Sequence, residues 1–172
     1  IGEHQMGVDP RQPPTYKHLM DHLEKWLNEH PKTDVVRFTS LMYQFPLIKN
    51  EKRETIYLEW TGYLDAASAF AMDEFEKEYG YRLKSEDIVD EGYFNNSSRV
   101  PKKKFLDWMN FVQKFVRDYA KQCVDMVHSR GRKAVLFFCD HWIGTEPYLE
   151  GFEKLGFDGV IGPCLSGVEL RR

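Results

Sequence analysis

The longest regular pattern in this sequence is a helical repeat that leads directly into an apolar strand. Between residues 101 and 130 apolar side chains recur every three or four positions, which predicts an amphipathic helix with Pro101 in its first turn. Gly131 is suited to end this helix, and the apolar run 134–138 then predicts a buried strand. A helix followed at once by a fully apolar strand is typical of α/β proteins, in which helices cover a parallel sheet.

The same alternation recurs along the rest of the chain. Helical spacing predicts helices over residues 15–30, 65–79 and 146–155, and extended runs predict strands over residues 34–39, 55–60 and 156–162. Residues 85–100 lack either period and predict an irregular loop. Because no glycine-rich phosphate or dinucleotide fingerprint follows a strand, a (β/α) barrel is favoured over a doubly wound sheet. Only about three barrel strands are visible where a closed barrel has eight, so residues 1–172 are predicted to form one incomplete (β/α)8 barrel domain.

Charge and composition limit the kinds of partner. The 24 basic and 27 acidic residues are interspersed, which disfavours nucleic acid, and the basic run 102–104 is interpreted as a solvated helix face. No apolar run approaches the roughly 20 residues that a membrane span needs. The cysteines Cys123, Cys139 and Cys164 lie in apolar segments, which predicts free thiols and favours a reducing cytoplasm.

Asp140 is the strongest candidate for chemistry. It directly follows an apolar run and precedes Trp142, so partial desolvation would raise its pKa and let it hold a proton near neutral pH. In barrel enzymes the catalytic groups lie at the carboxyl ends of the strands. The pattern therefore predicts a general acid, and the alternative is an aspartate that caps the following loop or helix.

Arg37 and a group of aromatic residues are candidates for binding. Arg37 interrupts an apolar strand, so its burial would require an anionic partner, either a structural carboxylate or a bound oxyanion. Glu59 and Trp60 end an extended run, and Trp60 with Tyr63 offers flat faces for sugar rings, although a tryptophan is also a common core residue.

Two other classes of site find little support in the sequence. His141 could act as a base or ligand, but no second histidine or cysteine stands at metal-site spacing, so no metal is predicted. The pair His18 and His22 lacks a third ligand. No Gly-x-Ser-x-Gly turn or Cys and His pair is present, which disfavours acyl transfer.

The segments 35–39, 58–63 and 140–148 resemble glycoside hydrolase family 112, the galacto-N-biose/lacto-N-biose phosphorylases. The similarity extends along nearly the whole chain. Because members of that family are several times longer, the resemblance implies an interior slice of the barrel. It also implies a homodimer and no cofactor, with inorganic phosphate as a co-substrate.

The resemblance implies inverting phosphorolysis of a β-galactosyl bond to an N-acetylhexosamine, with release of α-D-galactose 1-phosphate. Asp140 matches the general acid, Arg37 a residue near galactose and phosphate, and Trp60 a residue of the acceptor-sugar site. The neighbouring residues that complete the predicted substrate- or phosphate-binding set are Glu59, Tyr63, His141, Trp142 and Glu146. The acceptor, N-acetylglucosamine, N-acetylgalactosamine or rhamnose, stays open.

Two alternative functions remain at this point. An inverting β-galactoside hydrolase needs a second carboxylate to activate water, and Asp90, Glu91 and Glu146 are candidates for it. A phosphorylase needs only the acid, because phosphate is itself the nucleophile. A non-catalytic sugar-binding fragment would use Trp60, Trp142 and Arg37 to hold a saccharide without cleaving it.

Overall fold

A computed structural model of the chain describes residues 9–38, 47–49, 55–57, 67–93, 98–137 and 151–161. Its helices are α1 Pro13–Glu29, α2 Ala69–Tyr79, α3 Ser85–Ile88 and α4 Lys103–His128, with 3-10 turns at Asp90–Gly92 and Phe152–Lys154. Its strands are β1 Val35–Phe38, β2 Leu47–Lys49, β3 Thr55–Tyr57, β4 Lys133–Phe137 and β5 Gly159–Ile161. The chain divides into two compact units, one of Ile1–Leu19 with Met42–Phe115 and the other of Met20–Leu41 with Val116–Arg172.

The second unit contains a parallel sheet with β4 at its centre. The strand order is β1-β4-β5, and β4 runs parallel to both neighbours, with Val36 opposite Ala134 and Leu136 opposite Val160. This arrangement confirms the predicted strands over 34–39, 134–138 and 156–162 and the α/β class. The strands of the described residues do not close into a barrel.

One face of this sheet carries the helices. Leu27 of α1 and Val124 and Val127 of α4 are fully buried in one cluster with Val36 of β1 and Ala134 of β4. Consecutive parallel strands whose helices lie on the same face are the arrangement that a (β/α) barrel repeats.

The first unit is built around aromatic side chains. Phe75 of α2 packs against Phe111 of α4 with ring centroids 5.3 Å apart and stacks on Tyr79 at 4.4 Å. The guanidinium of Arg11 lies 3.8 Å from the centroid of the Phe111 ring, and its Nη2 donates to the Phe111 carbonyl oxygen at 3.0 Å. Burial lowers the pKa of Arg11 to about 10. A cation covered in this way ties the segment before α1 to α4.

The ends of the helices follow the local chemistry of the sequence. Ser68 Oγ caps α2 by accepting from the Ala71 N–H at 3.1 Å and donates in turn to the buried carboxylate of Asp9. Gly131, at φ +70°, follows α4 and donates to the His128 carbonyl oxygen at 2.8 Å, which confirms the predicted helix end. Pro101 lies two residues before α4, so its predicted place in the first turn is wrong.

The extended run at 55–60 has a different role from the one that the alternation suggested. Residues 55–57 form β3, which pairs antiparallel with β2, with Ile48 opposite Ile56. This run therefore belongs to a hairpin and not to the parallel sheet. The predicted helix over 146–155 is described only from residue 151, where it is a 3-10 turn.

Candidate functional site

The carboxyl ends of three parallel strands define the candidate site. Strand β1 ends at Phe38, β4 at Phe137 and β5 at Ile161. Phe137 is paired with Ile161. Because the strands are parallel, these ends lie at the same edge of the sheet. This edge is where ligands and catalytic groups gather in parallel α/β folds.

Arg37 is the predicted site residue that the structure describes. It lies one residue before the end of β1, opposite Val135 of β4, and its side chain is exposed. The expectation that Arg37 is buried is wrong, because the residue is exposed in the described part of the chain. Val36, which precedes Arg37, and its partner Ala134 are buried against the helices. Because side chains alternate along a strand, Arg37 lies on the opposite face of the sheet.

The other predicted site residues lie outside the described residues. They are Glu59, Trp60, Tyr63, Asp140, His141, Trp142 and Glu146. In the sequence, Asp140 comes three residues after Phe137, the last residue of the central strand. Asp140 as the acid and the others as binding residues stay predictions.

Asp90, one candidate for a second carboxylate, has a structural position. Its side chain is buried, and Oδ1 accepts from Arg99 Nη2 at 3.1 Å and from the Lys102 N–H at 3.3 Å, just before α4 begins. A carboxylate beside the free N–H groups of a helix start satisfies those donors and favours the helix dipole. Asp90 is thus engaged in holding the loop to α4.

Glu91, the second such candidate, is exposed and forms an ion pair with Lys102. The hydrogen bond from Lys102 is the main cause that lowers the pKa of Glu91. Asp90 and Glu91 both have positive φ, at +47° and +57°, and Gly92 follows at +86°. Three successive residues with positive φ are unusual, because only glycine adopts this backbone region without a steric penalty.

The basic run before and within the first turn of α4 is a solvated face, as predicted. Lys104 Nζ lies 3.1 Å from Asp87 Oδ2, and Lys103 pairs with Asp107 one turn later. All three lysines of the run are exposed. Their charges are matched locally by carboxylates.

Burial of Cys123 within α4 matches its predicted role as a core residue. The thiol is free and buried, and burial raises its pKa to about 11. Trp108, at an apolar position of the same helix, is fully buried in the first unit. Within the ranges that the structure describes, no three His, Cys, Asp or Glu side chains are grouped to hold a metal ion. None of the described helices has the length and apolar character to cross a bilayer.

A glycine on the same sheet face is a feature that the sequence analysis missed. Gly159 begins β5 and lies opposite Val135, which in turn lies opposite Arg37. The signal that could have found it is a glycine inside a strand, which often marks the close approach of a ligand or another backbone.

Comparison with known proteins defines the class. Residues 2–172 match the family described as the lacto-N-biose phosphorylase N-terminal TIM barrel domain. The chain therefore belongs to the lacto-N-biose phosphorylase family, which confirms the resemblance of segments 35–39, 58–63 and 140–148.

Individual relatives match almost the whole chain. A 1,3-beta-galactosyl-N-acetylhexosamine phosphorylase of Bifidobacterium longum is 46% identical over 169 residues, and one of Lachnoclostridium phytofermentans is 43% identical, each over 98% of this chain. A D-galactosyl-beta-1->4-L-rhamnose phosphorylase of L. phytofermentans is 41% identical over 171 residues, again 98% of the chain. The chain spans 22% to 24% of the length of these three relatives.

Proposed function

We propose that this chain forms part of the catalytic (β/α)8 barrel of a phosphorylase that cleaves β-galactosyl-1,3-N-acetylhexosamine disaccharides with inorganic phosphate. The observation that carries the proposal is that relatives matching 98% of the chain at 41% to 46% identity are named as galactoside phosphorylases. The parallel sheet, with helices on one face and its carboxyl ends at one edge, supports a barrel site at that edge.

Asp140 is proposed as the general acid. It would protonate the oxygen of the leaving N-acetylhexosamine while phosphate attacks the anomeric carbon from the opposite side, which gives α-D-galactose 1-phosphate. Because phosphate arrives as an anion, no second carboxylate is needed to activate it. Of the three candidates for a second carboxylate, Asp90 and Glu91 are engaged in structural contacts, and Glu146 lies outside the described residues.

Arg37 is proposed as a ligand of phosphate or of galactose. Its planar guanidinium matches two oxyanion oxygens at once, and its place near the carboxyl end of β1 puts it close to the candidate edge. Trp60 is proposed to line the acceptor-sugar site, with Glu59, Tyr63, His141, Trp142 and Glu146 as further binding residues.

We also propose that the protein is located in the cytoplasm and assembles as a homodimer. The reaction is proposed to need no metal or cofactor.

The test is to incubate the full-length protein with galactosyl-β-1,3-N-acetylglucosamine, with and without phosphate, and to assay galactose 1-phosphate. We expect a product of α configuration that requires phosphate. Free galactose formed without phosphate would instead identify a hydrolase. Binding of the disaccharide without any product would identify a sugar-binding protein.

Removal of the acid provides the residue-level prediction. Asp140→Asn should lower the rate of phosphorolysis by about 10²-fold or more, because an amide cannot donate the proton that the leaving oxygen needs. Asp118→Asn, on the exposed surface of α4, is the matched control and should keep the wild-type rate. A rate for Asp140→Asn within about tenfold of wild type would contradict its role as the acid.

A second acceptor deserves the same assay, because the rhamnose phosphorylase is nearly as similar to the chain as the N-acetylhexosamine phosphorylases are. Galactosyl-β-1,4-L-rhamnose should be cleaved with a lower kcat/KM than the 1,3-linked N-acetylhexosamine substrate. The reverse order would assign the protein to the rhamnose branch and leave the phosphorolysis proposal intact.

A further inference from the structure

Arg37, Val135 and Gly159 form a row across the three parallel strands of the second unit. Arg37 of β1 is paired with Val135 of β4, and Val135 with Gly159 of β5. The residues on either side of Val135, Ala134 and Leu136, are buried, and Ala134 lies in the cluster with α1 and α4. Paired residues of a parallel sheet share a face, so the row lies on the face away from the helices.

Nothing in the described chain requires glycine at the last position of this row. Gly159 is not among the residues with positive φ, so its backbone suits any amino acid. A Cβ built on Gly159 would meet Val135 Cγ1 at 3.6 Å, an ordinary van der Waals contact, and apart from its two chain neighbours no other described atom lies within 4 Å. Among the described residues, the glycine therefore leaves a space that a small side chain would fit.

A glycine in a strand lowers the stability of the fold, so its presence at residue 159 needs a reason. It loses more conformational freedom on folding than other residues and contributes no side chain to packing. Such a position often marks the close approach of a ligand. The charged member of the row is Arg37, and with strands about 4.8 Å apart, its Cα and that of Gly159 are separated by about 10 Å. That separation leaves room for a guanidinium and an oxyanion over Val135.

We propose that Gly159 is a positioning residue, whose missing side chain leaves the space in which Arg37 holds inorganic phosphate for the reaction. This inference rests on the proposed phosphorolysis. It adds that a side chain at residue 159 would displace the phosphate from Arg37 without disturbing the binding of the disaccharide or the fold of the sheet.

The experiment uses the full-length protein and measures initial rates of galactose 1-phosphate formation against phosphate concentration. Gly159→Ala should raise the KM for phosphate by about tenfold or more, the usual effect of one carbon in a fitted site, and Gly159→Val should raise it further. The KM for the disaccharide should stay close to that of wild type.

Val35→Ile is the matched control. It adds one carbon on the same sheet face, two residues before Arg37 and about 7 Å along β1, where the Val35 side chain is 48% exposed. We expect its KM for phosphate to equal that of wild type. A similar rise in Val35→Ile and Gly159→Ala would overturn the inference, because added volume anywhere on the face would then have the same effect.

The remaining outcomes separate this inference from the function on which it rests. No phosphate-dependent product from the wild-type protein would refute the phosphorylase itself. An active wild type with an unchanged phosphate KM in Gly159→Ala would overturn only the role of Gly159. A Gly159→Ala protein with a lower melting temperature and wild-type kinetic constants would also overturn it, since the glycine would then serve packing. If Gly159→Val fails to fold, Gly159→Ala alone decides.

Discussion

At the scale of single residues, burial separates side chains that look alike in the sequence. Phe75 and Phe70 lie on the same helix, yet Phe75 is fully buried among aromatic rings and Phe70 is 36% exposed. Asp90 and Glu91 are neighbours, yet Asp90 is buried beneath Arg99 and Glu91 pairs with Lys102 at the surface. The chemistry available to a residue thus depends on its surroundings as much as on its type.

The phenylalanine pair gives a prediction for stability. Phe75→Ala should lower the free energy of unfolding by about 3 to 5 kcal/mol, because it removes a buried ring and leaves a cavity between α2 and α4. Phe70→Ala should cost much less, since part of that ring already contacts water. Urea unfolding of both variants in the full-length protein checks this, and equal losses would mean that Phe75 is not a core residue.

At the scale of elements, Asp158 joins the end of α4 to the strands β4 and β5. Its Oδ2 accepts from the Ala134 N–H at 2.7 Å and lies 2.9 Å from His128 Nε2. The hydrogen bond with His128 is the main cause that lowers the pKa of Asp158, and the bond from the Ala134 N–H adds to it. A carboxylate at this junction fixes where β5 begins.

The lowered pKa gives a prediction about acid. A carboxyl whose pKa is lower in the folded protein contributes stability above its unfolded pKa, about 3.9, and loses it as the pH falls through the folded value. Asp158→Asn should therefore lower the urea midpoint near pH 6 and reduce its decrease between about pH 4 and pH 2. Asp118→Asn is again the control, and a wild-type pH profile for Asp158→Asn would show that the junction does not depend on the charge.

Most elements could be predicted from the sequence, and the exceptions have a physical reason. The predicted helices over 15–30 and 101–130 match α1 and α4 closely, because each repeats its apolar spacing over several turns. Strand β2, only three residues long, was not predicted, and β3 was not recognised as its partner. Such short strands carry too few residues for a period, and their pairing depends on the partner strand.

At the scale of the whole molecule, the described sheet has two outer strands and exposed apolar residues. Val160 of β5 is 62% exposed and Ile161 is 44% exposed, while Val35 of β1 is 48% exposed. Within the sheet that the structure describes, β1 and β5 each have a neighbour on one side only. Unpaired strand edges and apolar surface promote association with other chains.

This exposure predicts a difference between residues 1–172 alone and the full-length protein. The 172-residue polypeptide should bind a hydrophobic dye more strongly and elute as larger species in size exclusion than its own mass requires. The full-length protein should show neither behaviour. A monodisperse, dye-silent 172-residue protein would mean that its own chain covers these strands.

Local periodicity and segments that can be compared directly were enough to predict the α/β class, the order of the main helices and strands, and the family. The exposure of Arg37, the burial of Asp90 and the shared row of Gly159 and Arg37 became visible in the folded chain. The physical reason is that burial and strand pairing depend on residues far apart in the chain, about 120 positions in the case of Arg37 and Gly159.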